Sequence, residues 1–295
     1  MTAPGPVAAD TVGAALAGAV ARLQAAGVPE PDADAQVLAA HALGTSRTGV
    51  FAATRDVMPA AAAARFEALL ARRLRREPLA YVTGEREFWS LPLAVDRRVL
   101  IPRPETEVLV EAAVRRCPAA ETVLDCATGS GAVALALATE LPDARVWASD
   151  RSTAALAVAR GNGARHAPRV RFVAGDLLTC FRDEVVDLLV SNPPYLRDDE
   201  IARVEPEVRE FEPRQALAAG PDGLDALRAL VADGARVLRP GGWLLLEVGA
   251  GQAETVVGFL ELSGRYTDSL VERDYAGIPR VVGARRRRDG TWTVS

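Results

Sequence analysis

The sequence predicts an α/β protein in which a helical module precedes a parallel, helix-flanked sheet. Three observations carry that expectation. From Thr122 to Gly283, short apolar runs rich in β-branched residues alternate with helical patterns, the rhythm of a parallel α/β sheet. No strand-like alternation interrupts the residues up to about Glu85. A turn rich in small residues, Asp125 to Gly131, joins the first apolar run of the sheet to its first helix. At roughly 150 residues per domain, 295 residues suit two domains. Hydrophobic residues make up 49%, enough for a substantial core.

In the helical module, Val12, Leu16, Val20 and Leu23 recur at helical spacing before Gly27-Val28-Pro29. Asp32 to Leu43 and Ala60 to Arg76 are further amphipathic stretches, and Pro59 is set to open the last. The Arg72, Arg73, Arg75, Arg76 cluster reads as a solvated helix end favoured by the macrodipole. Tyr81 to Leu100 changes pattern, with Gly84 followed by the segments Phe88-Trp89 and Leu93-Ala94-Val95, which predicts a short hairpin joining two domains. In Ile101-Pro102-Arg103-Pro104-Glu105-Thr106, two prolines hold Arg103 extended, and Pro104 and Glu105 suit the first turn of a helix running from Thr106 to Arg116. A stiff arginine-bearing loop of this kind suits either a domain linker or, beside a cleft, a substrate guide.

The expected strands are Thr122 to Asp125, Arg145 to Ser149, Val170 to Ala174, Val185 to Ser191, Trp243 to Glu247, Ser269 to Glu272 and Pro279 to Gly283. Helices are expected at Val133 to Glu140, Thr153 to Arg160, Asp222 to Leu238 and Gln252 to Leu262. The resulting boundaries are a helical domain over 1–85, a hairpin linker over 86–100, a catalytic domain over 101–284 and a polar tail over 285–295.

Composition excludes several classes. Thirty-five basic against 39 acidic side chains give a net charge of −4, and the residues through Glu85 carry eight of each, so neither the chain nor its helical module attracts nucleic acid as a whole. All the basic side chains are arginine, which reads as composition bias rather than function. Cys117, Cys126 and Cys180 are odd in number and widely spaced, and His41 and His166 are the only histidines, so neither a disulfide framework nor a metal site is expected. Met1 to Asp10 lacks a basic start and a long apolar core, and no run of about 18 apolar residues occurs, so a cytoplasmic protein is expected, with no membrane partner.

The chemistry gathers at two turns. Small residues at Ala127, Thr128, Gly129, Ser130 and Gly131 let the backbone approach a ligand, and the exposed N–H groups of the following helix favour a carboxylate. The string lacks the Gly-x-Gly-x-x-Gly of dinucleotide sites. Asp150, ending the second strand, suits a ribose diol, and Asp176 with Leu177 could edge and cover an adenine. A nucleoside without a pyrophosphate but with a carboxylate and an electrophilic methyl group describes S-adenosylmethionine. The second turn, Asn192-Pro193-Pro194-Tyr195, follows the run Val185 to Val190, where open α/β sheets bind ligands. The prolines force the chain out of the ladder, and the Asn192 side-chain carbonyl, the Pro193 backbone carbonyl and the flat Tyr195 ring together suit a planar NH2 on an sp2 carbon. Its lone pair is delocalised, so two acceptors gripping its protons would orient it toward an electrophile.

These motifs, together with Glu77-Pro78-Leu79-Ala80-Tyr81, Gly84 to Phe88, Leu100 to Glu107, Phe211-Glu212-Pro213-Arg214 with Ala216-Leu217, and Asp274 to Arg280, resemble the bacterial glutamine methyltransferases of peptide chain release factors, the PrmC or HemK family. The resemblance covers nearly the whole chain. It implies a class I, Rossmann-like, seven-stranded S-adenosylmethionine-dependent methyltransferase domain behind a helical domain that helps dock the release factor. By position it implies cofactor contacts from Ala127 to Gly131, Asp150, Leu177 and Asn192, with Ala127 standing where the family usually carries Gly. Asn192 to Tyr195 would hold the glutamine of a class I release factor's Gly-Gly-Gln loop, yielding N5-methylglutamine. The Ile-Pro-Arg-Pro-Glu-Thr wording resembles the release-factor branch rather than the sister branch acting on a ribosomal protein, which typically reads Pro-Arg-Ser-Pro there. The rival from another class is a nucleic-acid amino-methyltransferase, since adenine N6 presents the same planar NH2. It would require base flipping and usually a basic groove, against which the neutral helical module and the net charge argue.

Overall fold

The structure is a computed structural model, and it describes residues 11–288. The expectations for Met1 to Asp10 and for the tail over 289–295 lie outside the described residues. The described residues form two compact units: those up to 84 with 206–211, and 85–205 with those from 212 on.

The first unit is helical. It comprises α1 (Val12–Ala25), α2 (Pro31–Leu43), α3 (Arg47–Ala52), α4 (Ala60–Leu74), α5 (Leu79–Thr83) and α9 (Pro206–Phe211). Thr11 caps α1 by accepting from Ala14 N–H, and Gly44 ends α2 in the left-handed conformation that suits glycine. Leu23, Leu38, Phe66 and Leu70 meet in its core. The short helices α3, α5 and α9 are too brief to show a period in the sequence, and α9 comes from a segment more than a hundred residues away. The solvated reading of the arginine cluster is corrected here. Arg73 is 5% exposed, donates to Asp34 Oδ2 at 2.6 Å and shares Glu207 of α9 with Arg76, at 2.9 and 2.6 Å. Arg72 forks onto both oxygens of Glu77 and onto the carbonyls of Tyr81 and Val82. Of the four, only Arg75 is exposed. The partners Asp34 and Glu207 are far away in sequence, so local charge counting misses them.

The second unit opens with the hairpin β1 (Glu85–Phe88) and β2 (Leu91–Ala94), closed by a two-residue turn with Trp89 and Ser90 both at positive φ. Asn162, 1% exposed, latches the hairpin to the sheet domain: its Oδ1 accepts from Ala94 N–H, and its Nδ2 donates to the carbonyls of Ala94 and Ser130. The sheet contains β3 (Thr122–Cys126), β4 (Arg145–Asp150), β5 (Arg171–Ala174), β6 (Val186–Ser191), β7 (Leu238–Glu247), β8 (Tyr266–Arg273) and β9 (Pro279–Arg286), in the order β5-β4-β3-β6-β7-β9-β8. The first five strands in that order run parallel; β9 pairs antiparallel with β7 and with β8. The parallel rhythm read from the sequence thus holds for five strands, and one edge is antiparallel. The turn from Asp274 to Ile278 links β8 to β9 directly, too short for the crossover a parallel pair needs.

The helices are α6 (Glu107–Arg116), α7 (Ala132–Glu140), α8 (Thr153–His166), α10 (Asp225–Val237) and α11 (Ala253–Leu262). Alternate strand residues supply two cores. Leu188, Val190 and Leu245 pack with α6 and α7, whereas Leu189, Leu244 and Leu246 pack with α10 and α11. Coverage on both faces is why these strands read as continuous apolar runs. Several boundaries move: β7, expected from Trp243, begins at Leu238, α8 runs on to His166, and two further shifts matter here. Thr106 belongs to a 3-10 turn (Pro104–Thr106) ahead of α6, and β9 extends through Arg286, so Arg285 and Arg286 are strand residues rather than tail. Arg286 is 8% exposed and pairs with Glu184.

The chain leaves β3 through Ala127 at φ 60°, a left-handed conformation in which a Cβ meets the following carbonyl. Ala127→Gly should therefore raise stability by about 1 kcal/mol in a denaturant titration; a loss would contradict the strain. Arg73→Ala leaves Asp34 buried without its partner and should cost about 3 kcal/mol, while Arg75→Ala should stay within about 0.5 kcal/mol.

Candidate active site

The register lines up the functional residues at the carboxyl ends of the strands. Cys126 pairs with Ser149 of β4 and with Ser191 of β6, and Ser191 pairs with Leu246 of β7. The next residues along these strands are Ala127, Asp150, Asn192 and Glu247, which therefore form one row. Ser191 Oγ donates to Cys126 O at 2.6 Å, tying the ends of β3 and β6 together.

A cleft of about 360 Å³ opens over this row. Of the sequence-predicted residues, it is lined by Ala127, Thr128, Gly129, Ser130, Asp150, Asp176, Leu177, Asn192 and Pro194. Four others stand apart from its lining. Gly131 is the N-cap of α7 at φ 87°, Pro193 is buried, Tyr195 packs against the α10–α11 core, and Arg103 donates to the buried carboxylate of Glu212. Burial pushes the Glu212 carboxyl up, and Arg103 pulls it back.

The small-residue turn is braced from below. Asp125, 1% exposed, accepts from Thr128 Oγ1 at 2.5 Å and from Ala134 N–H at 3.1 Å through the same oxygen. Burial pushes its carboxyl up to about 7, against the pull of those two donors. Thr128 N–H donates to Ser149 O across the strand ends. Gly129, at φ 56°, has open space where a Cβ would stand, so its backbone faces the cleft bare. Each oxygen of Asp150 accepts one backbone N–H, from Gly129 at 2.9 Å and Ser152 at 2.8 Å, and keeps a further lone pair for a ligand hydroxyl.

At the second turn, Asn192 Nδ2 donates to Thr106 Oγ1 at 3.1 Å, and Asn192 Oδ1 accepts no hydrogen bond from the described residues. Tyr195 is held at both ends. Its carbonyl accepts from Gln252 Nε2 at 2.9 Å, and its hydroxyl lies 3.5 Å from Glu247 Oε1. Burial pushes the phenol up to about 12, with Glu247 adding to the effect and Arg280 and Arg103 opposing it. Sequence reasoning assigned no role to Asp125, Thr106, Glu247 or Gln252. The signal available for two of them was a carboxylate at or near the end of an apolar strand, in Val-Leu-Asp-Cys and Leu-Leu-Leu-Glu.

The residues present fit S-adenosylmethionine. A bare glycine backbone, free lone pairs on a carboxylate one strand away, and an exposed Asp176 beside Leu177 at φ 46° occupy one cleft of the size small cofactors take. Among the described residues, no group of three or more His, Cys, Asp or Glu side chains could hold a metal ion, and no helix is long and apolar enough to cross a membrane.

The family model described as the PrmC N-terminal domain matches residues 14–84, and the methyltransferase small domain matches residues 104–207. The chain is 44% identical over 283 residues to the release factor glutamine methyltransferase of Moorella thermoacetica, spanning 95% of this chain and 100% of that protein. It is 46% identical over 273 residues to that of Cereibacter sphaeroides, covering 92% and 97% respectively. In fold it is similar to a methyltransferase from Pyrococcus furiosus, with a TM-score of 0.52 at 17% identity over 74% of this chain and 97% of the other. It is also similar to the hMettl16 catalytic domain, with a TM-score of 0.55 at 16% identity over 77% and 84%. Likeness to full-length relatives at these identities, on a seven-stranded sheet whose cleft suits a methyl donor, makes this chain a member of the release factor glutamine methyltransferase family.

Proposed function

We propose that Asn192 Oδ1 and the Pro193 carbonyl accept the two amide protons of a glutamine side chain, within the Gly-Gly-Gln loop of a class I peptide chain release factor. The enzyme is an S-adenosylmethionine-dependent protein-(glutamine-N5) methyltransferase. The observation that supports the residue assignment is the hydrogen bond from Asn192 Nδ2 to Thr106, which commits an N–H of this cleft-lining amide to the protein while its Oδ1 accepts from no described residue.

The chemistry follows from these positions. A carboxamide nitrogen is a poor nucleophile because its lone pair is shared with the carbonyl. Two acceptors on its protons turn the lone pair in one direction and stabilise the positive charge that grows on nitrogen as it gains a substituent. Tyr195 and Pro194 wall the position on the protein side. When bound, S-adenosylmethionine supplies an electrophilic methyl group. Ala127 to Ser130, Asp150, Asp176 and Leu177 would hold it, with Gly131 opening α7 behind them and the Asp150 carboxylate suited to ribose hydroxyls. The glutamine nitrogen gains a methyl group and gives up one proton; an N-methylated, cationic amide is acidic enough for water to take it. Arg103, extended between prolines and 34% exposed in its side chain, guides the incoming loop, and the helical unit contributes to docking. No nucleic acid or membrane enters this reading.

Asn192→Ala removes one of the two acceptors. On the scale of a missing oxyanion-hole donor it should cost about 3 kcal/mol of transition-state stabilisation, a loss of roughly two orders of magnitude in kcat. Transfer of a labelled methyl group to a purified release factor, with DNA as a parallel acceptor, measures it. Turnover by Asn192→Ala near that of the unaltered enzyme, or label in the DNA, would contradict the proposal.

A further inference from the structure

Behind the Asn192 corner lies a polar layer that the reaction as described does not use. Thr106, 4% exposed, receives the Asn192 Nδ2 proton at 3.1 Å. A hydroxyl that accepts still has its own proton to place, and the Glu247 carboxyl is near enough for Thr106 to draw its ionisation down, although the two stand outside hydrogen-bond geometry. Glu247 is 1% exposed, at the end of a strand whose preceding residues are Leu244, Leu245 and Leu246. The Tyr195 hydroxyl approaches its Oε1 at 3.5 Å, and its Oε2 is buried without a hydrogen-bond partner among the described residues. A buried carboxyl with one oxygen unanswered is costly, and packing alone would be better served by another leucine.

We propose that Thr106 and Glu247 are positioning residues for methyl transfer: the Glu247 carboxylate orients the hydroxyls of Thr106 and Tyr195, and Thr106 in turn fixes the Asn192 amide. The carboxylate thus presents the acceptor oxygen and the aromatic wall of the corner as one unit. This inference rests on the reading that Asn192 Oδ1 grips the glutamine amide. The same layer couples the corner to pH. The groups facing Glu247 are Thr106 and Glu105 on the 3-10 turn, Tyr195 after β6 and Arg280 on β9. Burial outweighs the rest and pushes the carboxyl up to about 7; Thr106, Arg280 and Tyr195 oppose it, and Glu105 adds to it. Below that pH one carboxyl oxygen carries a proton and becomes a donor, so it competes with the hydroxyls it would otherwise receive. Activity should rise as Glu247 ionises.

The test is kcat and KM for a purified release factor from about pH 6 to about pH 9, on the full chain, with folding checked by circular dichroism. Thr106→Val keeps the volume and removes the hydroxyl, Thr106→Ser keeps the hydroxyl, and Glu247→Gln removes the charge. Thr106→Val and Glu247→Gln should each lower kcat at pH 8 by about tenfold, with KM within about twofold. Thr106→Ser should recover most of the loss, and Glu247→Gln should lack the rise near neutral pH. Wild-type kcat in Thr106→Val and Glu247→Gln, or a Thr106→Ser as impaired as Thr106→Val, overturns the proposal. Should Glu247→Gln fail to fold, the two Thr106 variants decide it. An inactive Asn192→Ala beside fully active Thr106→Val and Glu247→Gln sinks this inference alone, whereas a fully active Asn192→Ala sinks the corner reading and this inference with it.

Discussion

The hydrogen bond from Asn192 Nδ2 to Thr106 Oγ1 is the constraint on which the rest of the site depends. An asparagine amide is both donor and acceptor, and unrestrained it can turn either face to a ligand. Binding an N–H to a buried hydroxyl breaks that symmetry and leaves the acceptor free, where the proposed reading has it grip a carboxamide NH2. The hydroxyl comes from the 3-10 turn ahead of α6, some 86 residues before Asn192 in the chain. The prolines around Arg103 and the capping geometry of that turn therefore serve the site as directly as the turn after β6.

What brings Asn192 and Glu247 side by side is the register of the sheet, and the 3-10 turn brings Thr106 to them. The sheet is covered on both faces, so a one-residue slip of β6 would exchange Leu188 and Val190 with Leu189 between two closed cores. Packing thereby fixes which residue of each strand comes last, and the proposed site is built on those last residues. Two buried acids, Asp125 and Glu247, stand at or beside these strand ends, each pushed up to about 7 by burial, one beneath the small-residue turn after β3 and one beside the Asn192 turn after β6. Their cost to folding is the mark of a site that favours placement over stability.

Much of this was legible in the chain. β6 and β3 show as apolar runs because both faces are buried, and the turns after them are punctuated by prolines and small residues whose backbone consequences are local. Legibility ended where a side chain's partner lies far away in sequence. Arg73 reads as a solvated helix end because its partners, Asp34 and Glu207, belong to other elements. The antiparallel β9 escaped the rhythm of the earlier strands because a hairpin replaces the crossover helix. Arg285 and Arg286 look like the start of a tail although they complete a strand, since charge outweighs alternation in so short a segment. Thr106 and Glu247 were visible only as the polar ends of a proline loop and an apolar strand, and their meaning is tertiary.

The central claim is that the corner after β6 receives a carboxamide by its two hydrogens. A crystal structure with S-adenosylhomocysteine and a release factor measures this directly. The account predicts the glutamine amide nitrogen within hydrogen-bond distance of both Asn192 Oδ1 and the Pro193 carbonyl, with Asn192 Nδ2 still donating to Thr106. A glutamine amide seated elsewhere, or an Asn192 turned so that its NH2 faces the substrate, would contradict it.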